Sequence, residues 1–218
     1  MAVTQVESTN TVSGRAARGA PERSGTMMPA GAGVAVGAVA GLTWAAGFRE
    51  YMASLVGTES KVTWYGTFGT ILLPAAAVGA LFGWAEQRRA NGEDLPLRRT
   101  IAAAPIAIGL LPLTRPGAVA TLRQTGEGSA ASGVALAAIG GGYAVAGRGP
   151  KWSRVATGAI AAAIAVGAAA SVPSIGGSRL ALSKPRGALT AVLGAGSVLT
   201  LALAASVPFR GRPRPTGA

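Results

Sequence analysis

Long stretches without a single charged side chain constrain this chain more than any other feature of its sequence. Uncharged runs occupy residues 24–48, 62–85, 100–114, 128–147, 155–178 and 187–209. A helix rises 1.5 Å per residue, so about 20 residues cross the roughly 30 Å hydrocarbon core of a bilayer. Five runs meet that length, whereas 100–114 is shorter and contains Pro105 and Pro112. Only 13% of the 218 residues are charged, about half the share in soluble domains, so a water-soluble globule is excluded. The expected fold is all-α, a polytopic membrane helix bundle with six transmembrane helices. The alternative is five, with a re-entrant third segment. The bundle spans 29–209, between a disordered basic N-terminal tail (1–28) and a basic C-terminal tail (210–218). The run that follows the N-terminal tail is longer than a signal-peptide core, and is expected to stay as an uncleaved first span.

The net charge of +12 comes from 20 Lys and Arg against 8 Asp and Glu. These cations are scattered over the tails and the gaps between runs, unlike the contiguous footprint of a nucleic-acid binder. They read as topology signals and contacts to anionic lipid head groups. With six spans and the N-terminus inside, thirteen cations fall in cytoplasmic segments and seven on the other side. That excess places both termini in the cytoplasm.

Absent side chains narrow the chemistry. The chain has no Cys and no His, so thiolate nucleophiles, the commonest general base and the usual transition-metal ligands are missing. No phosphate-cradling loop, nucleophile elbow or metal-ligand spacing occurs. No catalytic residue, cofactor or metal is expected. Every carboxylate lies outside the uncharged runs, which argues against a proton-driven carrier.

Small residues recur at four-residue spacing: Gly33, Gly37 and Gly41 in the first run, Gly79 and Gly83 in the second, and Ser129, Gly133, Ala137 and Gly141 in the fourth. Residues four apart share a helix face, and glycine lets another backbone approach closely. Internal packing is the plainer account of these faces; a homo-oligomer or membrane-partner interface is the alternative. Ala159, Ala163, Gly167 and Ser171 continue the pattern in the fifth run. Consecutive Gly140, Gly141 and Gly142 make the fourth helix the expected weak point, since each glycine costs about 1 kcal/mol relative to alanine.

Residues 48–89 carry the most detail. Phe48, Met52, Leu55 and Val56 fall at helical spacing beside polar Arg49, Glu50 and Ser54. This predicts a short helix lying flat on the membrane and stopped by Gly57. Glu59, Ser60 and Lys61 form the turn, and Pro74 is expected to kink the second span. Aromatic residues near run ends, Trp44, Phe48, Trp64, Tyr65 and Trp152 among them, fit the head-group level. The polar candidates are Glu50, Glu59, Thr63 and Thr67, with interfacial ion pairs to Arg49 and Lys61 as the plainer account of the two carboxylates.

This stretch resembles a pattern in uncharacterised multi-pass membrane proteins of actinobacteria. The resemblance implies a location in the bacterial cell membrane and a six-span-like layout, and it implies no site. Three functions are then open. A structural or interaction subunit predicts solid Ala–Gly packing. A small-solute transporter or facilitator predicts a polar cavity at the midplane, with Thr63, Thr67 and Thr70 near one face. A membrane enzyme predicts that Glu50 or Glu59 meets an Arg in a cleft. The first is the favoured reading.

Overall fold

The structure, a computed structural model, describes Pro29, residues 31–114, Gly117, Ala120 and residues 129–211. The N-terminal tail and residues 212–218 of the C-terminal tail lie outside the described residues. All secondary structure among the described residues is helical. Four helical stretches are long and apolar enough to cross a membrane: Ala32–Glu59, Trp64–Ala90, Lys151–Leu180 and Pro185–Phe209. Ser132–Val145 is a shorter apolar helix. Large apolar side chains such as Val39, Leu136, Val166 and Val192 face outward, the arrangement that lipid rather than water favours.

The first helix, α1 (Ala32–Val56), runs unbroken to Gly57, whose φ of 67° only glycine adopts without strain. The expected flat helix over 48–56 is therefore a continuation of the span. Phe48 (3% exposed) and Tyr51 (5%) turn into the bundle, where Trp44, Phe48 and Tyr51 stack at centroid distances of 5.5 and 5.9 Å. Trp44 Nε1 donates to the Ser197 carbonyl at 2.8 Å, and the Tyr51 hydroxyl to that of Ala168 at 2.9 Å. These rings are core, not belt. Trp64 and Trp152, at 82% and 76% exposed, keep the outward placement expected of interfacial aromatics.

A π-helical segment, Trp64–Leu72, leads directly into α2 (Leu73–Ala90). The Leu73 N–H reaches back five residues to the Phe68 carbonyl, which is the π spacing. Pro74 sits in the first turn of α2, where its missing donor is tolerated. The irregularity expected at the proline thus lies just before it, in a wider turn with room for the ring. α1 and α2 pack antiparallel in a fixed register. A Cβ at Gly33 would sit 2.6 Å from the Gly83 carbonyl oxygen; one at Gly37 would meet the Gly79 carbonyl, and one at Gly41 that of Ala75.

The chain returns as α3 (Arg98–Ala103) and α4 (Pro105–Leu110), separated by Ala104 in helical geometry, then a 3₁₀ turn at Leu111–Thr114 that packs against the π segment. The remaining helices, α5 (Ser129–Val145), α6 (Lys151–Gly176) and α7 (Pro185–Ala204), pack on one another, and α1 lies against α7. α5 is continuous through its three glycines, contrary to the weakness expected there. Successive residues point about 100° apart, so the three meet different neighbours: Gly140 meets Thr157, Gly141 meets Ala161 and Ala202, and Gly142 meets the backbone at Ala205 and Ser206. Close packing on three sides offsets the propensity cost.

Several helix ends are completed by side chains from elsewhere in the chain. Gln87 accepts from the Gly33 N–H at 3.2 Å and donates to the Pro29 carbonyl at 2.9 Å, satisfying a donor that the first turn of α1 leaves open. Arg98 donates to the carbonyls of Pro208 and Phe209 in the 3₁₀ turn after α7. Tyr143 joins the same end, edge-on to Phe209 and hydrogen-bonded with Ser153.

Candidate functional site

At the end of the bundle opposite Pro29, two clefts gather most of the polar candidates. The larger, about 520 Å³, is lined by Glu50, Ser54, Gly57, Thr58, Arg179 and Arg186, with Ala53 and Val56. Glu50 and Ser54 lie one turn apart on α1, and the Ser54 hydroxyl donates to Glu50 Oε1 at 3.3 Å. Arg179 comes from the 3₁₀ turn Gly177–Leu180, anchored by Leu180, which is 0% exposed. Its Nη2 donates to the Leu55 carbonyl at 3.0 Å, one of the acceptors left open at the C-terminus of α1, where a cation also suits the helix dipole. The guanidinium lies over Gly57, 3.2 Å from where a Cβ would stand. Gly57 is thus required by its φ, and a side chain there would also crowd the guanidinium. Arg186 enters from the first turn of α7 and is exposed.

The expected pairing of Glu50 with Arg49 does not form. Adjacent helix residues diverge, and Arg49 turns to Ser60 Oγ at 2.8 Å and the Lys61 carbonyl at 2.9 Å. The ion pairs among the described residues, Arg88–Glu93 and Arg89–Glu86, lie at the other end. Glu59 sits exposed on the turn Gly57–Glu59, outside the lining of the larger cleft.

Thr63 and Thr67 line the second cleft, about 360 Å³, with Arg49 and Lys61. Their hydroxyls work for the backbone. Thr63 Oγ1 accepts from the Gly66 N–H at 2.9 Å, capping the π segment, and Thr67 Oγ1 accepts from the Thr63 N–H at 3.4 Å. Thr70 donates to the Gly66 carbonyl at 2.7 Å. Replacing Thr63 with alanine removes that cap and is expected to cost about 1 kcal/mol. The check is the unfolding midpoint of the detergent-purified variant.

Gly33, Gly37, Gly41, Gly79 and Gly83 meet within the α1–α2 contact, Gly141 lies at the junction of α5, α6 and α7, and Gly133 has no neighbour within 4 Å of a built Cβ among the described residues. No protein-family model, curated protein or solved structure matches the chain.

Arg179, Arg186 and Gln87 are the participants that sequence reasoning passed over. The two arginines carried a signal, as cations flanking an uncharged run, but that signal reads equally as topology.

Proposed function

We propose that this is an integral protein of a bacterial cell membrane, of the actinobacterial type, that acts as a structural or interaction subunit. Six crossings with cytoplasmic termini fit the placement of its ends. Pro29, Gln87, Arg98, Tyr143 and Phe209 gather at one end, and Leu55, Arg179 and Arg186 at the other. The third segment runs from the first end, at Arg98, to the π segment near the second. Among the described cations, eight lie at the end that holds Pro29 and five at the other, the excess expected of a cytoplasmic side.

One observation carries the choice of subunit: α1 and α2 meet by backbone-to-backbone glycine contact, and buried hydroxyls close on the chain itself. Buried Thr70, Thr190 and Ser206 each donate to a carbonyl of their own helix or turn. The threonine face that a facilitator would use is thus engaged in local capping. Ala159, Ala163 and Gly167 of α6 remain outward, with nothing within 4 Å of a Cβ built at Gly167. That face is the one offered to a second copy or a membrane partner.

Because the chain has no native cysteine, single replacements report contacts cleanly. Gly167→Cys in native membranes is expected to crosslink into one discrete larger species. Met52→Cys, half-buried on α1, serves as the non-crosslinking control. Crosslinking of neither variant, together with a monomeric mass in mild detergent, would refute the subunit reading.

A further inference from the structure

We propose that the cleft between α1, the turn Gly177–Leu180 and the start of α7 binds the head group of phosphatidylethanolamine, its phosphate between Arg179 and Arg186 and its ammonium at Glu50.

Position is the first argument. Glu50 lies 17 residues along α1 from Gly33, about 26 Å at 1.5 Å per residue. With Gly33 at one edge of a roughly 30 Å hydrocarbon layer, Glu50 and the turns beyond it stand at the opposite head-group level. The site works in whichever leaflet that end faces.

Charge is the second. Arg179 is held in place by the Leu55 carbonyl and by Gly57 beneath it, so one guanidinium is already oriented. Arg186 occupies the first turn of a 20-residue helix beside Lys184. Cations there oppose the positive end of the helix dipole, and a phosphate relieves the conflict while accepting paired hydrogen bonds from planar guanidinium groups. Glu50 shares this cleft with both arginines, yet neither is within ion-pair distance of it among the described residues. The carboxylate and the guanidinium groups therefore flank a gap instead of closing on each other. Ser54 orients Glu50 through its hydroxyl, and Thr58 adds a further hydroxyl to the lining.

The lining also selects among head groups. A primary ammonium donates hydrogen bonds to a carboxylate. The trimethylammonium of phosphatidylcholine does not, and such groups are held by aromatic cages, whereas no aromatic residue lines this cleft among the described residues. Phosphatidylglycerol offers Glu50 no cation. A volume of about 520 Å³ is within the span of small-molecule pockets, roughly 300–1,000 Å³, and Ala53 and Val56 supply an apolar rim for the start of the acyl chains.

The test is lipid retention by native mass spectrometry. Purified protein is delipidated in detergent and titrated with phosphatidylethanolamine, phosphatidylcholine or phosphatidylglycerol of identical acyl chains. Wild type is expected to retain phosphatidylethanolamine at least about tenfold more tightly than either rival, the factor that one good polar contact confers. Arg186→Gln should weaken all three lipids. Glu50→Gln should instead remove the preference for phosphatidylethanolamine over phosphatidylglycerol, a change of selectivity that general damage would not produce. Unfolding midpoints of both variants should stay at the wild-type value, since both side chains are exposed. Soluble phosphoethanolamine should compete with the lipid at lower concentration than inorganic phosphate. Unchanged lipid profiles in both variants, or displacement by inorganic phosphate at the same concentration as phosphoethanolamine, would overturn the proposal.

Discussion

Gly37→Leu is expected to cost about 3 kcal/mol or more, at or above the upper end of what overpacking usually costs, and to part α1 from α2. A Cβ alone at Gly37 would collide with the Gly79 carbonyl oxygen. The obstacle is backbone, which cannot rotate away as a side chain would. Gly37→Ala should therefore also destabilise, while Gly133→Ala, which meets nothing within 4 Å among the described residues, should be neutral or gain up to about 1 kcal/mol from helix propensity. Unfolding midpoints of the three variants in a common detergent check the order. Equal midpoints for Gly37→Leu and Gly133→Ala would contradict the α1–α2 register.

Leu180→Ala is expected to cost about 3 kcal/mol, within the range for emptying a fully buried leucine site. Leu180 is 0% exposed and fills the corner between α6 and α7, against Gly176 and beside Gly187. Its loss loosens the turn that carries Arg179, so the hold on the Leu55 carbonyl weakens with it. Leu180→Met keeps the volume and should cost less than about 1.5 kcal/mol. The readouts are the unfolding midpoint and the hydrogen exchange of the last turn of α1, which should rise in Leu180→Ala and stay near wild type in Leu180→Met.

The all-helical fold and its long apolar helices are legible because a charge-free run of bilayer length has little use outside lipid. The stop at Gly57 is legible too, since a glycine between an apolar run and a polar turn marks a helix end. The orientation of Phe48 and Tyr51 is not. Periodicity shows which residues share a face, but in a membrane both lipid and protein interior accept apolar groups, so a buried face and a lipid face look alike. The same ambiguity hides the use of Thr63 and Thr67: a threonine near a span end serves backbone or solute equally well until its partner is known. Glu50 stood out by its charge. Its companions Arg179 and Arg186 did not, because a flanking cation announces sidedness whether or not it also lines a cleft. The three glycines of α5 misled for a related reason: propensity scores a helix alone, while Gly141 and Gly142 are justified only by Ala161, Ala202 and Ala205 on other elements.

The donation of Arg179 to the Leu55 carbonyl has a consequence for biogenesis. The first hairpin leaves the ribosome able to close one end of α1, because Gln87 follows within the same hairpin. The other end, along with the acceptors of Trp44 and Tyr51, is completed only when α6 and α7 have been synthesised. α1 is therefore the first of the described helices to be synthesised and among the last to be completed, and a nascent chain truncated before Arg179 packs it on α2 with its far end unfinished.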